Sequence, residues 1–216
     1  MPVTADQKRR ATKITRSLAR AYPDATCALQ FRNPLELLIA TILSAQCTDE
    51  RVNQVTKDLF TRYPTASDYA RLPLKTLEKA IQSTGFFRNK AKNIQACCAQ
   101  LETLYDGQVP RTIEQLVELP GVGRKTANVV LGTAYGVASG VVVDTHVARI
   151  TTRLGMTRQR DPVKIEQDLI GQLPRAEWVN FSHRLIHHGR RVCRARRPLC
   201  DSCCLQPLCP RIGVAP

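Results

Sequence analysis

An all-α fold is what the sequence predicts, and three observations predict it. Apolar residues recur at helical spacing in nearly every segment; no run alternates with period two over a strand's length, 141–143 being the single exception to consider; and helix-start signals recur along the chain. At 216 residues the chain suits one domain or two small ones and can bury about 70% of its unfolded surface, so its core needs no staples. There is no internal repeat and no low-complexity linker, and composition alone marks no domain boundary.

In order along the chain, 7–21 forms a basic amphipathic helix that ends before Tyr22-Pro23. Asn33-Pro34-Leu35-Glu36 opens the next helix, with Asn33 as cap, Pro34 in the first turn and Glu36 reaching back. Leu35, Leu37, Leu38, Ile39, Ile42 and Leu43 make that helix apolar on most sides, so it is expected to be central and buried. The pattern turns polar at Ser44-Ala45-Gln46-Cys47-Thr48-Asp49; a helix over 50–63 comes next, capped by Thr48 or Asp49, with Asp49 the expected cap. A helix over 73–83 stops at Gly85. Phe86-Phe87 then sit in a turn before a basic helix over 88–105; such a pair is usually part of the core, and one of the two rings could instead be an exposed wedge.

Thr112-Ile113-Glu114-Gln115 reads as a capping box opening a short helix over 112–118. Leu119-Pro120-Gly121-Val122-Gly123-Arg124-Lys125 joins it to a second over 126–135, which makes a hairpin of helices. The glycines of the turn let the backbone approach a partner, and the start of the second helix, with unpaired N–H groups and a positive dipole end, suits an anion such as a phosphate. Further on, Asp144 reads as a helix cap after Val141-Val142-Val143, Asp161-Pro162 opens a helix with Leu169, Ile170 and Leu173 on one face, and a helix over 176–188 ends at Gly189.

Lys and Arg number 32 against 18 Asp and Glu, a formal net charge of +14 that points to a polyanionic partner. The N-terminal stretch 1–10 is polar with no apolar core, so a secretory signal is not visible and an intracellular protein is expected. The long uncharged stretch 126–143, broken by Gly132, Gly136 and Gly140, reads as a buried helix and a connection rather than a membrane span. In that setting nine cysteines point to metal rather than disulfides. Cys27, Cys47, Cys97 and Cys98 are scattered among apolar positions as small core residues. Cys193, Cys200, Cys203 and Cys209, spaced by six, two and five intervening residues, are candidate ligands, with Cys204 a rival to Cys203. Four thiolates without an intervening histidine fit zinc or an iron–sulfur cluster, and spacing leaves both open.

Lys125 lies on the first turn of the second hairpin helix, where its plainest role is to contact a phosphate. A lysine attacks only as the free amine, which is rare at the ordinary pKa of about 10.4. The helix N-terminus, the neighbouring Arg124 and burial under the hairpin are each expected to disfavour the ammonium. Asp144 can be both a cap and a catalytic carboxylate, since an ionised aspartate beside a sugar stabilises an oxocarbenium-like centre. The four histidines read as packing or phosphate partners, not as ligands.

Taken together, the stretch Pro34-Leu35-Glu36-Leu37-Leu38-Ile39-Ala40, Ser44-Ala45-Gln46, the hairpin through Lys125-Thr126-Ala127-Asn128-Val129-Val130, Val143-Asp144-Thr145-His146 and the cysteine spacing resemble the endonuclease III family of helix-hairpin-helix DNA glycosylases. The resemblance covers nearly the whole chain. It implies a six-helix barrel domain at 27–137 containing the hairpin at about 112–135, and a second domain, built from 1–26 and 138–216, around a [4Fe-4S] cluster. By that match Lys125 is the nucleophile, Asp144 the catalytic carboxylate, and Cys193, Cys200, Cys203 and Cys209 the cluster ligands. Gln46 and Phe86 occupy gap-filling positions, although Phe86 replaces an aliphatic residue and Thr84 is more polar than the usual neighbour. Gly121, Val122, Gly123, Arg124, His146, Arg149, Arg194 and Arg196 are the further expected DNA contacts.

The activity implied is removal of oxidised pyrimidines from duplex DNA with cleavage at abasic sites, by a monomer in the bacterial cytoplasm associated with the nucleoid. The alternatives are a glycosylase of the same fold for another lesion, such as a pyrimidine dimer or a mismatched base, and a non-catalytic iron–sulfur DNA-binding or redox-sensing protein. Lysine at 125 argues against the second, since a phosphate clamp would tolerate arginine, and against the related adenine-removing branch, which lacks a nucleophilic lysine there.

Overall fold

Helix caps set out most of the architecture. In the computed structural model, which describes residues 3–214, Thr4 caps α1 (Ala5–Ala21), Asn33 caps α2 (Pro34–Leu43) and Asp161 caps α10 (Pro162–Gln172), each through a side-chain oxygen that accepts an amide of the first turn. Met1 and Pro2, the start of the polar N-terminal stretch, and Ala215 and Pro216 lie outside the described residues. The other helices are α3 (Asp49–Arg62), α4 (Ala66–Arg71), α5 (Leu74–Ile81), α6 (Phe87–Tyr105), α7 (Ile113–Val117), α8 (Arg124–Tyr135), α9 (Thr145–Arg153) and α11 (Trp178–Arg191). No strand occurs among the described residues, and 141–143 is an irregular connection. Nor is any helix among them long and apolar enough to cross a membrane. The uncharged stretch splits into α8 and a connection at Gly136, which takes a positive φ of 65°.

The described residues divide into two compact units: Cys27–Ser139, holding α2 to α8, and the stretches before and after it, holding α1 and α9 to α11. In the first, α2 is buried on all sides, as its composition predicts, and packs on α6 and α8. Leu37, Leu38 and Ile39 meet Ile94, Cys97, Cys98, Leu101, Val130 and Leu131 in one core. Cys27 and Cys47 are only partly buried at its edge. In the second unit, Ile14 and Leu18 of α1, Val147 and Ile150 of α9, Leu169 of α10 and Phe181 and Leu185 of α11 form a separate core. Each such side chain contributes about 1.5–3 kcal/mol on burial.

Four local expectations are corrected. Thr48, not Asp49, caps α3: its side chain accepts the Arg51 amide, and Asp49 becomes the first helical residue. Glu36 reaches past its own cap to Arg32, accepting from its backbone amide at 2.7 Å and from its guanidinium. Thr112 caps α7, but Gln115 answers to the Thr112 hydroxyl rather than to its amide, so the box is half formed. Finally, α11 runs through Gly189 to Arg191, because packing rather than helix termination calls for glycine there: a Cβ would stand 2.6 Å from His146 Nδ1. A short helix, α4, escaped the pattern; its signal is the reciprocal Thr65 and Asp68 capping box.

Candidate active site, DNA interface and cysteine cluster

The hairpin is α7, a turn over 118–123, and α8. Leu119 and Val122 are buried, and the Val122 amide donates to Leu119 O at 3.0 Å, which closes the turn. Val122 is therefore a structural member of the turn, and its N–H is not offered outward as expected. Gly121 and Gly123 differ in kind. At Gly121 φ is +76°, and a Cβ would stand 2.7 Å from the Cβ of Asn93 on α6, so the chain itself requires glycine. At Gly123 φ is an ordinary −86° and a Cβ would meet nothing within 4 Å, so no neighbour in the chain requires it.

Gly123 caps α8 without a side chain, and the first internal bond of the helix runs from Ala127 N to Gly123 O. Gly123, Arg124 and Lys125 are all exposed at the positive end of the helix dipole. The Lys125 side chain makes no hydrogen bond or ion pair among the described residues, and its exposure corrects the expectation that the hairpin buries it.

Gln46 and Phe86 are the two other residues of this unit expected at DNA. Both are exposed, Phe86 at 64%, and both adopt the left-handed backbone, with φ of 54° and 46°. For side chains of this size that conformation costs about 1–2 kcal/mol. Phe87, next to Phe86, packs at the edge of the core, so the pair divides into one anchor and one exposed ring.

In the other unit, Asp144 is the cap of α9: Oδ1 accepts the Val147 amide at 2.8 Å, and Oδ2 accepts no hydrogen bond among the described residues. The carboxylate is half-buried, held at one oxygen and available at the other. His146 and Arg149 are less available than expected. The Arg149 guanidinium donates to Cys193 O at 3.0 Å, to Gly189 O at 3.3 Å and to His146 Nδ1 at 3.1 Å. Its hydrogen bonds brace the entry to the cysteine region rather than reach outward. Burial, more than the nearby Arg149 and Arg190, holds the His146 imidazole below its ordinary pKa against the pull of Asp144, which fits a neutral ring accepting from Arg149. Arg194 and Arg196 are exposed.

Cys193, Cys200, Cys203 and Cys209 line one cavity, with Ile150, Leu154 and Leu205 among its apolar walls. Cys204, its rival by sequence, is exposed and does not line the cavity, whereas Cys203 does. N–H groups point at three of the sulfurs: Arg153 at Cys193 Sγ (3.3 Å), the Leu205 amide at Cys203 Sγ (3.4 Å) and the Arg211 amide at Cys209 Sγ (3.4 Å). Arg153 also donates to Arg194 O at 2.7 Å and Ala195 O at 2.9 Å, and Arg10 donates to Leu154 O and Leu208 O.

Behind Cys203 lies a buried relay. Tyr22 Oη stands 3.0 Å from His188 Nδ1, and His188 Nε2 stands 3.5 Å from Cys203 Sγ. Burial lowers the His188 pKa to about 4 and raises the Tyr22 pKa to about 12, so a protonated phenol donates to a neutral ring whose Nε2–H faces sulfur. Burial also pushes the Cys203 thiol up to about 11.

Four cysteine thiols lining one cavity form a donor set that fits a metal centre. Among the described residues no three His, Cys, Asp or Glu side chains are grouped to hold one metal ion. The four thiols surround a space, and N–H groups aimed at sulfur favour the thiolate that metal ligation requires. Sequence reasoning missed Arg153, since a charged residue inside a helix carries no signal of burial; it read His188 as a packing residue, which its burial bears out, but not its partners Tyr22 and Cys203.

An all-α chain with a Pro-Gly-x-Gly hairpin ending in an exposed lysine, followed by a capping aspartate, defines a class, and residues 39–175 match the model of that class: the chain belongs to the HhH-GPD superfamily of base excision DNA repair proteins. Within it, the chain is 55% identical over 206 residues to endonuclease III of Synechocystis sp., covering 95% of this chain and 94% of the relative. To endonuclease III of Escherichia coli K12 it is 39% identical, covering 94% and 95%. Two solved structures at 49% identity superpose with TM-scores of 0.89 and 0.90, each over 94% of this chain and 95% or 96% of the other. One is a non-covalent endonuclease III–DNA complex and the other a trapped endonuclease III–DNA covalent intermediate. A thermostable thymine-DNA glycosylase, 21% identical with a TM-score of 0.84, shares the fold.

Proposed function

We propose that the chain is a bifunctional DNA glycosylase and abasic-site lyase that removes oxidised pyrimidines from duplex DNA. The observation that carries this reading is Lys125: an amine exposed at the start of α8, beside a glycine no neighbour requires, with no partner among the described residues. A base inside a duplex is inaccessible, so the nucleotide is flipped out while Gln46 and Phe86 fill the gap in the stack. The amides and dipole at the start of α8, with Arg124, Arg194 and Arg196, hold phosphates and position the DNA without reading its sequence.

The Lys125 amine then attacks C1′ as the C1′–N bond to the base breaks, and the base leaves with a proton. The carboxylate of Asp144, fixed by its cap bond and with one oxygen spare, stabilises the cationic sugar. The amine proton passes to the ring oxygen as the C1′–O4′ bond breaks, which opens the ring and gives a protonated Schiff base between Nζ and C1′. That iminium acidifies the C2′ proton, whose removal expels the 3′ phosphate by β-elimination; water then releases the lysine. One residue thus serves both activities.

Cys193, Cys200, Cys203 and Cys209 would hold a [4Fe-4S] cluster, which when bound supplies a four-point crosslink of the region 193–209 and takes part in no step, since none transfers electrons. On this reading Cys27–Ser139 is the barrel domain and the flanking stretches form the cluster domain. The enzyme acts as a monomer on chromosomal DNA in the bacterial cytoplasm. The test is a duplex carrying one thymine glycol: the expected products are the free damaged base and a strand ending in a 3′ unsaturated aldehyde. Release of neither, with intact binding, would overturn the reading in favour of a non-catalytic protein. Release only from a pyrimidine-dimer or mismatched duplex would move the substrate to another lesion.

A further inference from the structure

Lys90 is 5% exposed, on the first turn of α6, and its ammonium donates to two backbone carbonyls: Leu43 O at 2.8 Å and Thr84 O at 2.7 Å. Burial disfavours its charged form, with Cys47 opposing in part, so a cation kept here needs a reason. Both acceptors end a helix. Leu43 closes α2, and Thr84 closes the 3₁₀ turn 82–84, so each carbonyl is one the helical ladder leaves over. A positive charge at such an end is favourable.

The residues just beyond the two acceptors matter more. Three residues past Leu43 is Gln46, and two residues past Thr84 is Phe86, and both are exposed with a left-handed backbone. One ammonium therefore ties together the stems of both loops. Thr84 itself is buried, its hydroxyl donating to Ile81 O at 2.8 Å, so its polarity serves the same stem rather than the DNA.

We propose that Lys90 is a positioning residue that fixes the separation of Gln46 and Phe86, so that both enter the duplex together when a nucleotide leaves the stack. The inference rests on the reading that these two residues fill the gap. A lysine that merely stabilised the unit would affect every substrate equally. One that sets the two loops matters only where there is a stack to enter, so a single-stranded abasic substrate is spared.

The experiment compares rates of borohydride trapping on duplex and on single-stranded abasic DNA. Lys90→Met removes both hydrogen bonds while keeping the bulk. It is expected to slow trapping on the duplex by about tenfold or more, in line with losing charge-assisted bonds, and to leave the single strand within about twofold. Lys90→Gln, which is too short to span both carbonyls, covers the case where the methionine variant fails to fold, and the same duplex-selective loss is expected. Lys90→Arg, which keeps charge and two donors, is expected to recover most of the duplex rate. Equal losses on both substrates, or no loss on either, would overturn the proposal. Phe86→Ala and Gln46→Ala separate the premise from the inference. If neither shows a duplex-selective loss, the gap-filling reading fails; if they do and Lys90→Met and Lys90→Gln do not, only the role of Lys90 falls.

Discussion

The hairpin turn and the cysteine region are both expected to meet something other than protein, yet the chain treats them in opposite ways. At the turn, Gly123 has open space around it and the Lys125 side chain has no partner among the described residues. Around the cysteines, Arg10, Arg149 and Arg153 bind loop carbonyls, and amides and an imidazole are aimed at sulfur. An open site awaits a partner that arrives and leaves. On the proposed reading, a site whose donors are already in place holds a group that stays. Arginine follows the same division: exposed Arg194 and Arg196 are available to phosphate, whereas buried Arg153 organises the backbone between them.

Substitutions in the two regions are expected to fail in different ways, through activity in one and integrity in the other. The largest effect is expected from Lys125→Arg, which keeps the charge but cannot supply a neutral amine. Strand cleavage falls by a factor of about 10³ or more while duplex affinity stays within about threefold, measured on one abasic-site duplex. Arg153→Met comes next. It leaves Arg194 O and Ala195 O without their donor, costs about 3 kcal/mol, and lowers the iron and sulfide recovered per chain. Unchanged metal content would erase the contrast drawn between the regions.

The glycines sharpen the comparison within the turn itself. Gly121→Ala forces a side chain into a left-handed position against Asn93, and thermal unfolding is expected to report a loss of about 2 kcal/mol. Gly123→Ala meets no neighbour, and its poorer capping offsets its smaller unfolded-state entropy, so stability holds to within about 0.5 kcal/mol. DNA affinity is expected to fall instead, with a shallower salt dependence if a phosphate contact is lost, each such contact being worth about 0.9 in slope. The smallest effect belongs to Cys204→Ser, outside the cavity: iron content is unchanged, whereas Cys203→Ser lowers it.

Much of this was legible because it is local. Asn33-Pro34 and Asp161-Pro162 announce helix starts by their own chemistry, and the all-round apolar pattern of α2 requires burial wherever the helix goes. Thr48 and Asp49 defeated the same logic because two adjacent residues of cap type compete, and backbone angles decide between them. Gly189 reads as a stop, but its reason lies on another helix, at His146. Lys90 and Arg153 look like any surface cations; their burial depends on carbonyls from distant parts of the chain. The motif Leu-Pro-Gly-Val-Gly-Arg-Lys located Lys125 but could not show that the hairpin leaves it exposed, since exposure is set by what packs around the turn.

On the proposed mechanism, Lys125 forms a covalent bond with the sugar it acts on. The direct test incubates the protein with a thymine glycol duplex, adds borohydride, and looks for a stable protein–DNA species by denaturing electrophoresis. The predicted result is a trapped species that is absent from Lys125→Ala. A trapped complex that persists in Lys125→Ala would place the nucleophile elsewhere. No complex from the wild-type chain, together with no nicking of an abasic-site duplex, would contradict the claim outright.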